Sequence, residues 1–266
     1  MSEPSVSLGK ETRAELRERL WSAEQSGTPC VALSETDPSI TIEDAYAIQG
    51  ENLARKITGG ARLVGHKIGL TSLAVQEWLG VAEPDFGGLL DTMAVPNGAM
   101  APTAQLLQPR VEGELAFVLK RDLVGPGLVQ HEVMAAIDYV LPAIEIIDSR
   151  IRDWKLAIQD TVADNASAGL FVVGSRPTSL AAIDTRTIGL ALRKNGRIVS
   201  TGAGAACMGD PIAALLWLAN KLGGLGTKLE AGQIILSGAL GPVSDVVAGD
   251  RVEARIGRMG RVSVGF

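Results

Sequence analysis

The sequence predicts an α+β fold: a helical N-terminal arm over residues 1–60, then a single unit over 61–266 built on a curved mixed sheet with peripheral helices. Three observations carry this reading. Helical periodicity dominates the first sixty residues, strand-like stretches outnumber helices after residue 60, and those strands come at irregular spacing. The irregular spacing argues against repeated βαβ units.

The elements follow in order. Residues 10–25 read as a charged amphipathic helix with Leu16, Leu20 and Trp21 on one side, closed by a loop through SGTPC. Thr41 is an N-cap candidate with Asp44 three residues on, opening a second helix that carries Tyr46, Ile48, Leu53 and Ile57 and stops at Gly59-Gly60. ARLVGHKIGL then looks like a strand, AEPDFGGLLD like a loop, and 95–109 like a proline-punctuated connection. The densest strands are VEGELAFVL at 111–119 and YVLPAIEII at 139–147, separated by a Gly-Pro-Gly turn and a short helix near 131–137. DTVADNASAG at 160–169 reads as a turn between strands. IGLALRKNGRIVS is a hairpin whose Asn195-Gly196 suits a type I′ turn. Asp210 and Pro211 supply an N-cap and an N1 proline for a helix to Lys221, ended by Gly223-Gly224. GQIILSG and the C-terminal DRVEARIGRMGRVSVGF return to strands.

Composition excludes several function classes. With 25 Lys and Arg against 30 Asp and Glu the 266-residue chain carries −5, and its aromatic content is 4%, so neither phosphate neutralisation nor base stacking is advertised. Only Cys30 and Cys207 are present; they make neither a disulfide framework nor a zinc quartet and read as buried free thiols. The first twenty residues lack an apolar secretory core, and PIAALLWLAN at 211–220 is about half of the roughly 20 residues a spanning helix needs. The expectation is a cytoplasmic enzyme that binds neither nucleic acid nor membrane. GAGAAC at 202–207 has some of the glycines of a dinucleotide fingerprint, but the helix starts only at Asp210, so the glycines are read as backbone passing close to a neighbouring element.

The chemistry is concentrated in carboxylates placed where apolar residues belong. Strand alternation puts Arg110, Glu112 and Glu114 on one face of RVEGELAFVL, and Glu145 lies among Ile144, Ile146 and Ile147. Like charges so close are costly to bury without a cation. One reading is that Arg110, Arg150 or Lys155 compensates them at a wet strand face; the other is a hard oxygen site for Mg²⁺ or Mn²⁺. Lys67 in GHKIGLTS either neutralises that cluster or polarises a substrate oxygen. His66, its neighbour, faces the other way. In DTVADNASAG, turn chemistry is the default for Asp164, and Ser167 is the better ligand candidate.

GHKIGLTS, EPDFGGLLD, PRVEGELAFVL, AIDYVLPAIEIIDSRIRDWK, DTVADNASAG and GAGAACMGDPIAALLWLANKL together resemble the hydratase/decarboxylase family of aromatic meta-cleavage pathways, a branch of the fumarylacetoacetate hydrolase superfamily. The resemblance runs in order from about residue 41 to the C-terminus. It implies a mixed β-roll core of fumarylacetoacetate hydrolase type, with Mg²⁺ or Mn²⁺ held by Glu112, Glu114 and Glu145. It implies further that Lys67 is the active-site lysine, that Asp85 in EPDFG belongs to the catalytic pocket, and that the substrate is a small 2-oxo or 2-hydroxy-dienoate. A large homo-oligomer, and association with a downstream aldolase or a related decarboxylase, are also implied.

Overall fold

The computed structural model describes residues 7–79 and 81–266; the first six residues of the expected arm lie outside that range. Among the described residues the arm contains α1 (Lys10–Ser26), α2 (Leu33–Thr36) and α3 (Ile42–Thr58). The expected cap of α3 forms in full: Thr41 accepts from the Asp44 amide, and the Asp44 carboxylate accepts in return from Thr41 N–H. The arm has its own small core of Leu16, Leu20, Leu33, Ile40, Ala45 and Ile48, closed by Ile151, Val162 and Ala163 from much later in the chain.

The remainder follows as β1 (Leu63–Gly69), α4 (Leu73–Leu79), β2 (Asp85–Leu90), β3 (Arg110–Leu119), α5 (Gln130–Ala136), β4 (Ile137–Ile147), α6 (Ile158–Ala163) and β5 (Ala168–Val173). It is completed by β6 (Gly189–Lys194), β7 (Arg197–Ala203), α7 (Pro211–Gly224), β8 (Ile234–Leu236), β9 (Ser244–Asp245), β10 (Arg251–Ile256) and β11 (Gly260–Gly265). Seven strands form one sheet in the order β2-β1-β8-β3-β4-β5, with β9 also on β3; four form a second sheet, β11-β10-β6-β7. The first sheet is mixed, because β1 and β8 run parallel while the other pairs are antiparallel. The second sheet backs β3: a Cβ on Gly113 would overlap the Leu190 side chain of β6. The core between the sheets takes Val111, Leu115 and Phe117 from β3 and Val252, Ala254 and Ile256 from β10.

The α+β expectation is met, and the Asn195-Gly196 turn has both residues at positive φ as a type I′ hairpin requires. Two local expectations need correction. AEPDFGGLLD is not a loop throughout: residues 85–90 are strand β2, paired along β1 and buried at every position. Its two glycines conceal the strand signal, and both are needed, since a Cβ on Gly87 would overlap the Asn165 carbonyl and one on Gly88 would press on Leu53. DTVADNASAG likewise opens inside helix α6, then turns left-handed at Asn165, Ala166 and Ser167 (φ 56°, 51° and 51°) before entering β5. In the GAGAAC segment a Cβ on Gly202 or Gly204 would enter the backbone of Leu240 or Thr185, the close approach expected of those glycines.

Candidate active site

Glu112 of β3 lies directly opposite Glu145 of β4 in register, and Glu114 is two residues further along the same face. One carboxylate oxygen from each falls within 4.8 Å of the others. Glu114 and Glu145 are fully buried. Glu114 Oε2 accepts from the Gly238 amide (2.8 Å), whereas Glu114 Oε1 and both oxygens of Glu145 have no hydrogen-bond partner among the described residues. Burial and the Glu145 charge push Glu112 up to about 7; burial, with Glu145 and Glu112, holds Glu114 well above the carboxylate range. Burial also raises Glu145, against the pull of Lys67.

Lys67 sits on β1, three strand positions from β4, which on a flat sheet would be roughly 14 Å. The sheet curls, and Lys67 Nζ comes to 3.3 Å from Glu145 Oε1 while donating to the Ala166 carbonyl at 2.9 Å. Burial alone would lower its pKa, but Glu145, Asp85, Glu112 and Glu114 together keep the ammonium above its ordinary value. Asp85, at the start of β2, pairs in register with Gly69 and so shares the face of Lys67. Gly69 is required here: a Cβ would overlap Asp85 Oδ1 and approach Lys67 Nζ to 3.1 Å. Asp85 Oδ2 accepts from Thr161 Oγ1 (3.0 Å), Oδ1 has no partner, and burial raises the carboxyl above its usual range against Lys67 and Thr161. Ser167 Oγ is buried and likewise unpartnered.

These groups border a cavity of about 180 Å³ lined by Lys67, Asp85, Glu112, Thr161, Ala166 and Ser167, with Leu70, Ile147, Trp154 and Leu156 as its apolar wall and Arg110 at its rim. Of the six sequence-derived site residues, Lys67, Asp85, Glu112 and Ser167 line this cavity, and Glu114 and Glu145 lie beside Glu112 without lining it. The structure assigns the counter-charges differently from the simplest sequence expectation. Arg150 is buried against Asp164, with Nε 2.5 Å from Oδ1, and also serves the Ala168 carbonyl. Lys155 is exposed and Arg110 pairs with Asp245 at 2.9 Å, so Lys67 is the cation in contact with the carboxylate trio among the described residues. Asp164 sits in the turn as expected, its carbonyl accepting from Ser167 N–H at 3.0 Å, and its side chain is in addition half of a buried ion pair; burial pushes the carboxyl up to about 6 even beside the guanidinium.

Sequence reasoning missed Thr161 and Asn165. Thr161 is one hydroxyl in a helix hidden by its polar neighbours, and only pairing with Asp85 in space marks it. Asn165 holds the left-handed turn on β2 by bonding both N–H and C=O of Gly88 (2.8 and 2.9 Å), an edge-strand mimic with no sequence signature.

Buried Asp85, Glu114 and Glu145 together with half-buried Glu112 face one ammonium and make a donor set with excess negative charge and free lone pairs. It fits a hard divalent cation such as Mg²⁺ or Mn²⁺, and it lacks the thiolates and imidazoles that zinc prefers. Fold and site together define a mixed-sheet protein with a buried acidic centre next to a lysine. Comparison with known proteins makes this more specific. The family model for the fumarylacetoacetate (FAA) hydrolase C-terminal domain matches residues 76–265. The 2-keto-4-pentenoate hydratase of Paraburkholderia xenovorans is 49% identical, over 96% of this chain and 94% of that protein. The 2-hydroxyhexa-2,4-dienoate hydratase of Comamonas testosteroni is 46% identical, over 94% and 95%. The solved 4-oxalocrotonate decarboxylase from Pseudomonas putida G7, complexed with magnesium and adipate, superposes with a TM-score of 0.95 at 38% identity, covering 98% of this chain and 99% of that one. The chain belongs to the fumarylacetoacetate hydrolase family.

Proposed function

We propose that this protein is a hydro-lyase that adds water to 2-hydroxypenta-2,4-dienoate, giving 4-hydroxy-2-oxopentanoate, with Glu112, Glu114 and Glu145 holding Mg²⁺ or Mn²⁺. The observation that carries the reading is the glutamate trio beside Lys67, with Glu114 and Glu145 buried and carrying unpartnered oxygens and Glu112 opposite Glu145, in a chain 49% identical to a hydratase of this kind. When bound, the cation supplies Lewis acidity toward the 2-oxo acid head of the substrate.

The protein's own groups do the rest. Protonation of the dienol at C5 gives the 2-oxo-3-enoate; water then adds at C4 and a proton is delivered to C3. Lys67, fixed by the Ala166 carbonyl and Glu145, holds the negative charge that develops on the 2-oxygen. Asp85 moves the proton: burial keeps its acid form accessible, Thr161 fixes one oxygen, and Oδ1 stays free for substrate or water. Ser167 Oγ orients the substrate carboxylate, and Ile147, Trp154 and Leu156 exclude water from the hydrocarbon tail.

In the same proposal, residues 1–60 act as an arm and 61–266 as the catalytic core of a cytoplasmic homo-oligomer, which associates with the aldolase that consumes its product or with a related decarboxylase. Among the described residues no helix is long and apolar enough to cross a membrane. The deciding experiment offers freshly generated 2-hydroxypenta-2,4-dienoate with Mg²⁺ and follows dienol absorbance and carbon dioxide together. Loss of the dienol without carbon dioxide is expected. Absence of turnover, or stoichiometric carbon dioxide, overturns the reading. Light scattering of the purified chain tests the oligomer.

A further inference from the structure

The family model begins at residue 76, yet strand β2, which carries Asp85, is backed by helix α3 of the arm. Three α3 side chains meet it. Tyr46 stacks on Phe86 with ring centroids 4.6 Å apart. Leu53 packs where Gly88 leaves room. Gln49, buried, uses its one amide nitrogen twice, donating to the Phe86 carbonyl at 2.9 Å and to the Val162 carbonyl at 2.8 Å. Those carbonyls belong to the residues immediately after Asp85 and Thr161, the pair joined by the 3.0 Å hydrogen bond that leaves Asp85 Oδ1 free.

We infer that Gln49 is a positioning residue: by tying β2 to α6 one residue beyond each partner, it sets the Thr161–Asp85 hydrogen bond and so the aim of the free Asp85 oxygen. The amide's hydrogen bonds go to the Phe86 and Val162 carbonyls, and neither these residues nor Gln49 lines the catalytic cavity, so it acts through the two backbones. A buried amide with its N–H groups on two carbonyls is costly to replace, because an apolar side chain leaves both acceptors unpaired. Besides Gln49, β2 and α6 are joined by the Thr161–Asp85 hydrogen bond itself, and Asn165, just beyond α6, holds β2 at Gly88; Gln49 is the side chain that engages the backbones of both segments at once. The inference rests on the proposed proton-transfer role of Asp85.

The test uses the full-length chain with Mg²⁺ and compares Gln49→Met, which keeps shape and loses both donors, with Thr161→Val, the double variant and Asp85→Asn. Gln49→Asn, one methylene shorter, is carried in parallel in case the methionine variant does not fold. In Gln49→Met, kcat is expected to fall about tenfold or more, as misplacement of a reacting group from a distance does. KM and the Mg²⁺ dissociation constant should stay within about twofold of wild type. The double variant should lose no more than the worse single variant, because both break one linkage. In the metal-free protein, amide hydrogen exchange should rise in 85–90 and 158–163 and stay unchanged in β3 and β4. Unchanged kcat in a folded Gln49 variant, multiplicative losses in the double variant, or Mg²⁺ binding lost in step with kcat would each overturn the inference. If Asp85→Asn itself retains turnover, the proton-transfer reading has failed; if Asp85→Asn is inactive while Gln49→Met is fully active, only the positioning of Asp85 by Gln49 has failed.

Discussion

Glu145 stands between two isoleucines and faces Glu112 across the β3–β4 pair, an arrangement that burial alone makes costly. Its replacement by Gln keeps the volume and removes one anionic ligand. Glu145→Gln is therefore expected to give a folded protein whose Mg²⁺ binding is severely weakened and whose turnover is lost by orders of magnitude, read by calorimetry and dienol absorbance. Wild-type turnover in this variant, or in protein exhaustively treated with chelator, would remove the metal site. Lys67→Met separates the two roles open to the lysine. If the cation compensates the glutamates, metal still binds while turnover collapses; if Lys67 is only a counter-ion, stability and metal affinity fall together. The first outcome is expected. These residues were legible in the sequence because a charge among aliphatic neighbours breaks the strand pattern. Thr161, Asn165 and Gln49 were not, since a polar residue in a polar or amphipathic stretch breaks no pattern, and only the partner across space gives it meaning.

At the scale of elements, β1 divides its work by alternation: Lys67 and Gly69 face the site, and His66 faces away, buried with its edge toward Phe86. Gly69→Ala places a methyl group against Asp85 Oδ1, so the carboxylate must rotate. The expected result is about a hundredfold loss in kcat with a small change in melting temperature, because a side chain and not the strand gives way; unchanged kcat would show that the Asp85 orientation is irrelevant. His66 predicts a pH effect. Burial lowers its pKa to about 4 despite its hydrogen bond with the Gly87 backbone, from an ordinary value near 6.5 in the unfolded chain. The unfolded chain thus takes up the proton first as pH falls. The stability that neutral His66 contributes is whole above about pH 6.5 and is lost progressively down to pH 4, on the order of 3 kcal/mol in all. His66→Phe should flatten denaturant midpoints over that window; an unchanged acid slope would refute the assignment. Helices α1, α3 and α7 were readable from caps and periodicity, and β3 and β4 from apolar density. Strand β2 was not, because its glycines serve close contacts with Asn165 and Leu53 rather than a turn.

The whole molecule decides between two reactions that share one centre. In the proposed reading, hydration and decarboxylation both need the 2-oxo acid head held through a cation at the glutamate trio, with charge developing next to Lys67, so those residues cannot discriminate. The overall fold cannot either, since the chain superposes on a 4-oxalocrotonate decarboxylase with a TM-score of 0.95 while its relatives at 46–49% identity are named hydratases. The difference lies where the far end of the substrate rests. A second carboxylate there calls for a cation or donor-rich patch. Of the basic side chains near this site in sequence, Arg150 is committed to Asp164, and Arg152 and Lys155 are exposed. Arg110 does reach the cavity rim, but its guanidinium lies over Trp154, 4.6 Å from the ring centroid, and pairs with Asp245. Ile147, Trp154 and Leu156, which line the same cavity as Arg110, are apolar and suit the hydrocarbon end of a five-carbon monocarboxylate. In oxygen-18 water, 2-hydroxypenta-2,4-dienoate should give product labelled at the C4 hydroxyl, distinguished by fragmentation from exchange at the 2-oxo group. The dicarboxylate 2-oxohex-3-enedioate should release little carbon dioxide. Arg110→Ala should change hydration of the monocarboxylate by no more than about threefold, since a rim ion pair open to solvent contributes little. Rapid carbon dioxide from the dicarboxylate, lost in Arg110→Ala, with no label at C4 of the monocarboxylate product, would establish Arg110 as the second-carboxylate anchor and the protein as a decarboxylase.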